Sequence, residues 1–87
     1  MNFIAKYSLY KKMMKSSPRV DEHVHNPEEH WRRVKWNFDE NYSVVSVHDL
    51  EYDWHTAHVR DRKTEQSLAV FSGMLARRIF NHLEKSL

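Results

Sequence analysis

The chain has 87 residues and a formal net charge of +2, from 14 Lys and Arg against 12 Asp and Glu, with no cysteine and a single glycine. A domain this small buries only about 60% of the surface its unfolded form exposes, so a deep ligand pocket would take apolar volume from a core with little to spare. The missing cysteines exclude disulfides, thiolate zinc sites and cysteine nucleophiles, and one glycine excludes phosphate-cradling loops, dinucleotide fingerprints and the nucleophile elbow.

Stability must then come from packing, and three Trp, four Tyr and four Phe supply the rings for it. No segment approaches the roughly 20 apolar residues of a membrane span, and the lysine-containing start lacks the apolar run of a signal peptide. A cytoplasmic location with no membrane contact is the expectation. Charge is unevenly placed: Lys6, Lys11, Lys12, Lys15 and Arg19 all precede the first acid, Asp21, so a basic N-terminal element joins a mildly acidic body.

In chain order, residues 2–15 read as an amphipathic helix, with Phe3, Tyr7, Tyr10 and Met14 on one face. Asn2 is placed to cap it, Lys11, Lys12 and Lys15 complement its C-terminal dipole, and Ser16-Ser17-Pro18 stops it. Residues 16–30 read as a loop. Within it, Asn26, Pro27 and Glu29 form a helix-start signature that predicts a short helical turn.

Val34, Trp36 and Phe38 alternate, which favours a strand over 33–38, although Trp31, Val34 and Phe38 also fit a helical face. Asp39-Glu40-Asn41 connects to a second strand, residues 42–47, rich in valine. His48-Asp49 reads as a reversal into a third strand over about 50–60. There Leu50, Tyr52 and Trp54 share one parity and Ala57 and Val59 the other, which predicts a bulge near His55-Thr56. From Thr64 the repeat becomes helical, with Leu68, Phe71, Leu75, Ile79 and Leu83 as a core stripe on a helix over 64–85. Ala69, Gly73, Ala76 and Phe80 form a neighbouring flank of mostly small residues, a contact for the N-terminal helix or for a second copy of the chain in a homodimer.

The fold expected from these elements is a single α+β domain, α-β-β-β-α. A three-stranded antiparallel sheet over 31–60 packs on the C-terminal helix, with the N-terminal helix beside it.

No pattern of catalytic residues stands out. Serine, histidine and acid combinations can be drawn from any chain with eight Ser and seven His. Glu51 and Asp53 would share the outer sheet face opposite Arg33 and Lys35, where cross-strand ion pairing accounts for them without acid-base catalysis. His23, His25, His30, His55 and His58, with Asp49 and Asp53, are possible metal ligands, but their spacings suit no regular site. Hydrogen-bonded or solvated imidazoles are the expectation, with no metal or cofactor. His82, inside the apolar arc of the last helix, reads as a partly buried and satisfied histidine.

The most suggestive run is Trp31-Arg32-Arg33-Val34-Lys35-Trp36, since cations between aromatics hold phosphates while rings stack on bases. Against it stand the acidic body and the low net charge. In general character the chain is similar to the small accessory and inhibitory proteins common in phage genomes, a likeness of composition alone. The reading that follows is a non-enzymatic protein-interaction module, a regulator or inhibitor that occludes a partner protein. The alternative is a nucleic-acid-binding protein using Lys11, Lys12, Lys15, Arg19, Arg32 and Arg33.

Overall fold

The computed structural model describes residues 3–87, with side chains from residue 5 onward. The Asn2 cap and the docking of Phe3 lie outside the described residues. The order of elements is α1 (Phe3–Lys15), β1 (Glu22–Asn26), β2 (Trp31–Trp36), β3 (Tyr42–Asp49), β4 (Trp54–Asp61), β5 (Ser67–Ser72) and α2 (Gly73–Glu84). The strands form one antiparallel sheet in sequential order, β1-β2-β3-β4-β5. The α+β class with a helix at either end of the sequence is as expected, but the sheet has five strands where three were read.

Strand alternation divides this sheet into two chemically different faces. On the inner face, Val34, Ser46, Ala57 and Phe71 make one cross-strand row, and Trp36, Val44, Val59 and Ala69 make the next. All eight are buried. Helix α2 covers them with Ala76, Ile79, Phe80 and Leu83, the three- and four-residue steps of one helical stripe. Each large apolar side chain so enclosed contributes about 1.5–3 kcal/mol relative to leaving it in water. Helix α1 adds Tyr10 and Met13 to the same cluster, with Leu9 and Met14 packed against it. Tyr10 meets Phe71 at 6.0 Å between ring centroids. Tyr7, expected on the docked face, is exposed, because the buried stripe runs through Met13.

His82 is buried in α2, and its Nε2–H donates to the Ser16 carbonyl at 2.9 Å, tying the end of α1 to α2. Its place in the apolar arc is thus compatible with a satisfied polar atom.

The two additional strands come from segments with competing local signals. Residues 22–26 offer one apolar side chain, Val24, and form an exposed edge strand. Its backbone pairs with β2 from Glu22↔Lys35 to Asn26↔Trp31. The helix-start signature beside it does make its capping bond, the Glu29 N–H donating to Asn26 Oδ1 at 3.0 Å. His30, at φ 61°, then reverses the chain before a helix can propagate.

Residues 64–66 likewise close a hairpin. Asp61 Oδ1 accepts the N–H groups of Lys63 and Thr64 at 2.8 and 3.1 Å, and Glu65 takes φ 61°. Ala69 and Phe71 then alternate inward along β5. Helix α2 begins only at Gly73, whose φ of +64° turns the chain from strand to helix. The sole glycine is therefore a junction, and Ala69, Gly73, Ala76 and Phe80 do not form a helical flank. Ala69, Ala76 and Phe80 are spent in the chain's own core, so a homodimer would have to use another surface. The bulge falls between Val59 and Arg60, where β4 meets β5, and not at His55-Thr56.

Candidate functional site

The six cations singled out in the sequence do not converge. Lys12 pairs with Asp39 at 2.6 Å, Arg19 with Asp21 at 2.9 Å, Arg32 with Glu84 at 2.8 Å and Arg33 with Glu22 at 3.1 Å. Lys11 lies 4.9 Å from the centroid of the Tyr7 ring, and Lys15 is exposed at the end of α1. Arg32 and Arg33, adjacent in β2, project to opposite faces. Arg32 goes under the helix, 5.2 Å from the Phe80 ring, and Arg33 goes to the bare face, 5.8 Å from the Trp31 ring. Nor do Glu51 and Asp53 pair across strands with Arg33 and Lys35. Both acids belong to the β3–β4 turn, and Arg33 is held by β1.

Asp39 organises the β2–β3 connection. Its Oδ1 accepts the N–H groups of Asn41 and Tyr42 at 2.7 and 2.8 Å, and its Oδ2 accepts from Lys12. Burial pushes its pKa up, but the Lys12 ammonium and the two backbone donors outweigh that and hold it below the usual carboxylate value.

What the fold does bring together is the end of the sheet holding the β3–β4 turn. The third inner row is polar: Arg32 pairs with His48 across β2–β3, and His48 with His55 across β3–β4. The two imidazoles stack with centroids 4.0 Å apart and planes at 11°. Both lie edge-on to Phe80 at 5.4 Å. Asp53, in the turn, has φ 51°, and its Oδ1 sits 2.7 Å from His48 Nε2. That hydrogen bond is the main reason the Asp53 carboxyl is held below its usual pKa. His55 is pushed down, first by burial and then by the neighbouring His48, so it favours the neutral form.

Around this polar row the surface turns apolar. Tyr52 is 77% exposed, Met74 72% and Trp54 53%. Asp53, Trp54, His55, Gly73, Met74 and Arg77 line a groove of about 330 Å³. Its floor is set by the strand-to-helix junction: a Cβ on Gly73 would stand 3.5 Å from Trp54 Cη2. Sequence reading names His55 and Asp53 among possible ligands but omits His48, which it treats as part of a reversal.

The bare face of the sheet is a second surface. Its rows are Trp31, Asp49 and Trp54, then Arg33, Val47, Thr56 and Ser72, then Lys35, Val45, His58 and Val70. Lys35, Arg60 and Arg62 line a polar hollow of about 180 Å³ together with Asn37, Ser43, Asp61 and Glu65. Among the described residues neither Lys35 nor Arg60 has an acidic partner. No described helix is long and apolar enough to cross a membrane.

No protein-family model matches the chain, and no curated protein or solved structure matches it significantly.

Proposed function

We propose that this chain is a non-enzymatic protein-interaction module, a regulator or inhibitor that occludes a partner protein with the groove between the β3–β4 turn and the start of α2. The observation that carries the reading is that exposed Trp54 and Met74 line one groove, with exposed Tyr52 in the adjoining β3–β4 turn. Large apolar side chains gathered at one end of a small domain mark an interaction surface, and Trp, Tyr and Arg are the residues that dominate binding energy at interfaces. Arg77 lines the groove, and Arg78 follows it on the exposed side of α2. The complementary partner is therefore a protein segment that presents an apolar side chain next to a carboxylate.

Photo-crosslinking in the native host tests this, with a photoreactive amino acid at Met74 and, as control, at Glu40 in the distant β2–β3 loop. A discrete adduct from position 74 that is absent from position 40 and lost with Trp54→Ala supports the reading. Equal labelling from both positions, or none, contradicts it.

A second reading, nucleic-acid binding, is favoured by Lys35 and Arg60, which have no acidic partner among the described residues, and by Trp31 beside Arg33 farther along the same sheet face, cations for phosphates and a ring for stacking on one surface. Its test is fluorescence anisotropy with single-stranded oligonucleotides. Affinity should fall steeply between roughly 50 and 200 mM salt and should be lost with Lys35→Glu and Arg60→Glu. Weak binding that neither salt nor these substitutions alter would dismiss it.

A further inference from the structure

We propose that His48, Asp53 and His55 form a binding site for a first-row divalent metal, zinc foremost, with one side left open for a further ligand. The inference goes beyond the interaction reading and does not depend on it. Three features of the fold assemble the site. Antiparallel pairing sets His48 directly opposite His55, Phe80 backs both rings edge-on, and the left-handed turn at Asp53 swings its carboxylate back over the pair. One donor atom from each residue lies within 4.8 Å of the other two.

Two imidazoles and a carboxylate are a donor set that zinc and its neighbours accept readily. Ligand atoms on a shared tetrahedral zinc stand about 3.4 Å apart, from bond lengths near 2.1 Å. The 2.7 Å contact between Asp53 and His48 therefore has to open slightly, and the stacked rings have to fan toward each other. Side-chain rotation supplies both movements, since Asp53 is 66% exposed at its side chain. The same exposure leaves the open coordination position toward the groove.

The charged groups facing the site oppose one another. Arg77 and Arg32, the latter directly opposite His48, disfavour a cation, and Glu84, paired with Arg32, offsets one of the two. Three ligands beside an arginine predict a site weaker than a closed four-ligand one. Bound metal would clamp the β3–β4 turn to β3 and β4, and so fix Trp54 in the wall of the groove.

The experiment is a calorimetric titration of tag-free, metal-stripped protein with Zn²⁺, paired with the visible ligand-field spectrum of the Co²⁺ form. A single equivalent should bind, with a tetrahedral or five-coordinate Co²⁺ spectrum that Zn²⁺ abolishes. His48→Ala and Asp53→Asn should each weaken binding by at least the roughly tenfold that losing even a ligand-orienting partner costs a metal site. His23→Ala with His25→Ala, on the edge strand β1, should change nothing. His55 is buried and its removal perturbs folding, so Asp53→Asn, at an exposed position, is the variant that decides. If its circular dichroism matches the parent and its metal affinity is unchanged, the proposal is overturned. Absent binding, or binding lost with the His23/His25 pair, overturns it as well.

Discussion

The two faces of one sheet have opposite roles. The inner face gives up its side chains to α2 and α1: Val34, Val44, Ala57, Val59 and Phe71 are almost entirely excluded from water. The outer face and the turn end bury Val45 among neighbouring side chains but leave other large apolar residues exposed, from Val70 at 46% to Tyr52 at 77%. Both faces rest on the same hydrogen-bonded backbone, so rigidity generated on one side is delivered to the other. A chain too short for a second core can in this way position Trp54 and Met74 without spending buried volume on them, while His48 and His55 occupy the polar end of the inner face itself, with His55 buried against Phe80.

The sharpest way to break this division is from the inner side. Phe80 touches the core and the imidazole pair together, and Phe80→Ala is expected to cost about 3–5 kcal/mol in denaturant unfolding. Val70→Ala on the outer face should stay within about 0.5 kcal/mol. Comparable losses at the two sites would erase the distinction.

At the junction between the faces, Gly73→Ala meets no steric clash, since the added Cβ would be 3.5 Å from Trp54. It does place a side chain at φ +64°. A loss of about 1–2 kcal/mol is expected from that conformation alone, measurable as a lower chemical midpoint. An unchanged midpoint would mean that the junction relaxes.

A gain is expected in the middle of the inner face. Ser46 is fully buried between Val34 and Ala57, and its hydroxyl has no hydrogen-bond partner among the described residues. Ser46→Ala removes that orphan group and should raise stability by about 1 kcal/mol. Destabilisation would instead reveal a partner for the hydroxyl.

The smallest expected effect concerns acid. A carboxyl whose folded pKa is depressed binds fewer protons in the fold than in the unfolded chain, so its contribution is present above the unfolded value of about 3.8 and is lost as pH falls through the lower folded value. Lys12→Met removes one of the groups depressing Asp39. The stability that Asp39 supplies should shrink, and the acid limb of the melting curve should move to higher pH. No change in that limb would show that the two backbone donors suffice.

The sequence shows the inner face far more legibly than the site. Val34 and Trp36 alternate, Val44, Val45 and Val47 are β-branched, Ala57 and Val59 share one parity, and Ile79 and Leu83 keep a helical step, so three strands and a terminal helix could be read directly. The remaining strands were hidden for different reasons. Edge strand β1 buries almost nothing, so period-two patterning has little to act on. In β5, Leu68 and Phe71 happen to continue into Leu75 and Ile79 at helical spacing, and the strand's own alternation through Ala69 and Phe71 was absorbed into that longer pattern.

The His48–His55 pairing was unreadable for want of one turn length. With the β3–β4 turn confined to residues 50–53, positions equidistant from its centre become cross-strand partners, and His48 faces His55. With the third strand begun at Leu50, no such pairing arises.

The central claim is that folding and binding reside on different side chains, and Tyr52→Ala combined with Met74→Ala tests it most directly. Thermal melting and position-specific crosslinking would be measured on the same double variant, with the photoreactive residue placed at Arg77 inside the groove. The account predicts a melting temperature equal to the parent's and loss of the crosslinked partner. An adduct that persists undiminished, or a melting temperature that falls by as much as a core substitution would cause, would contradict it.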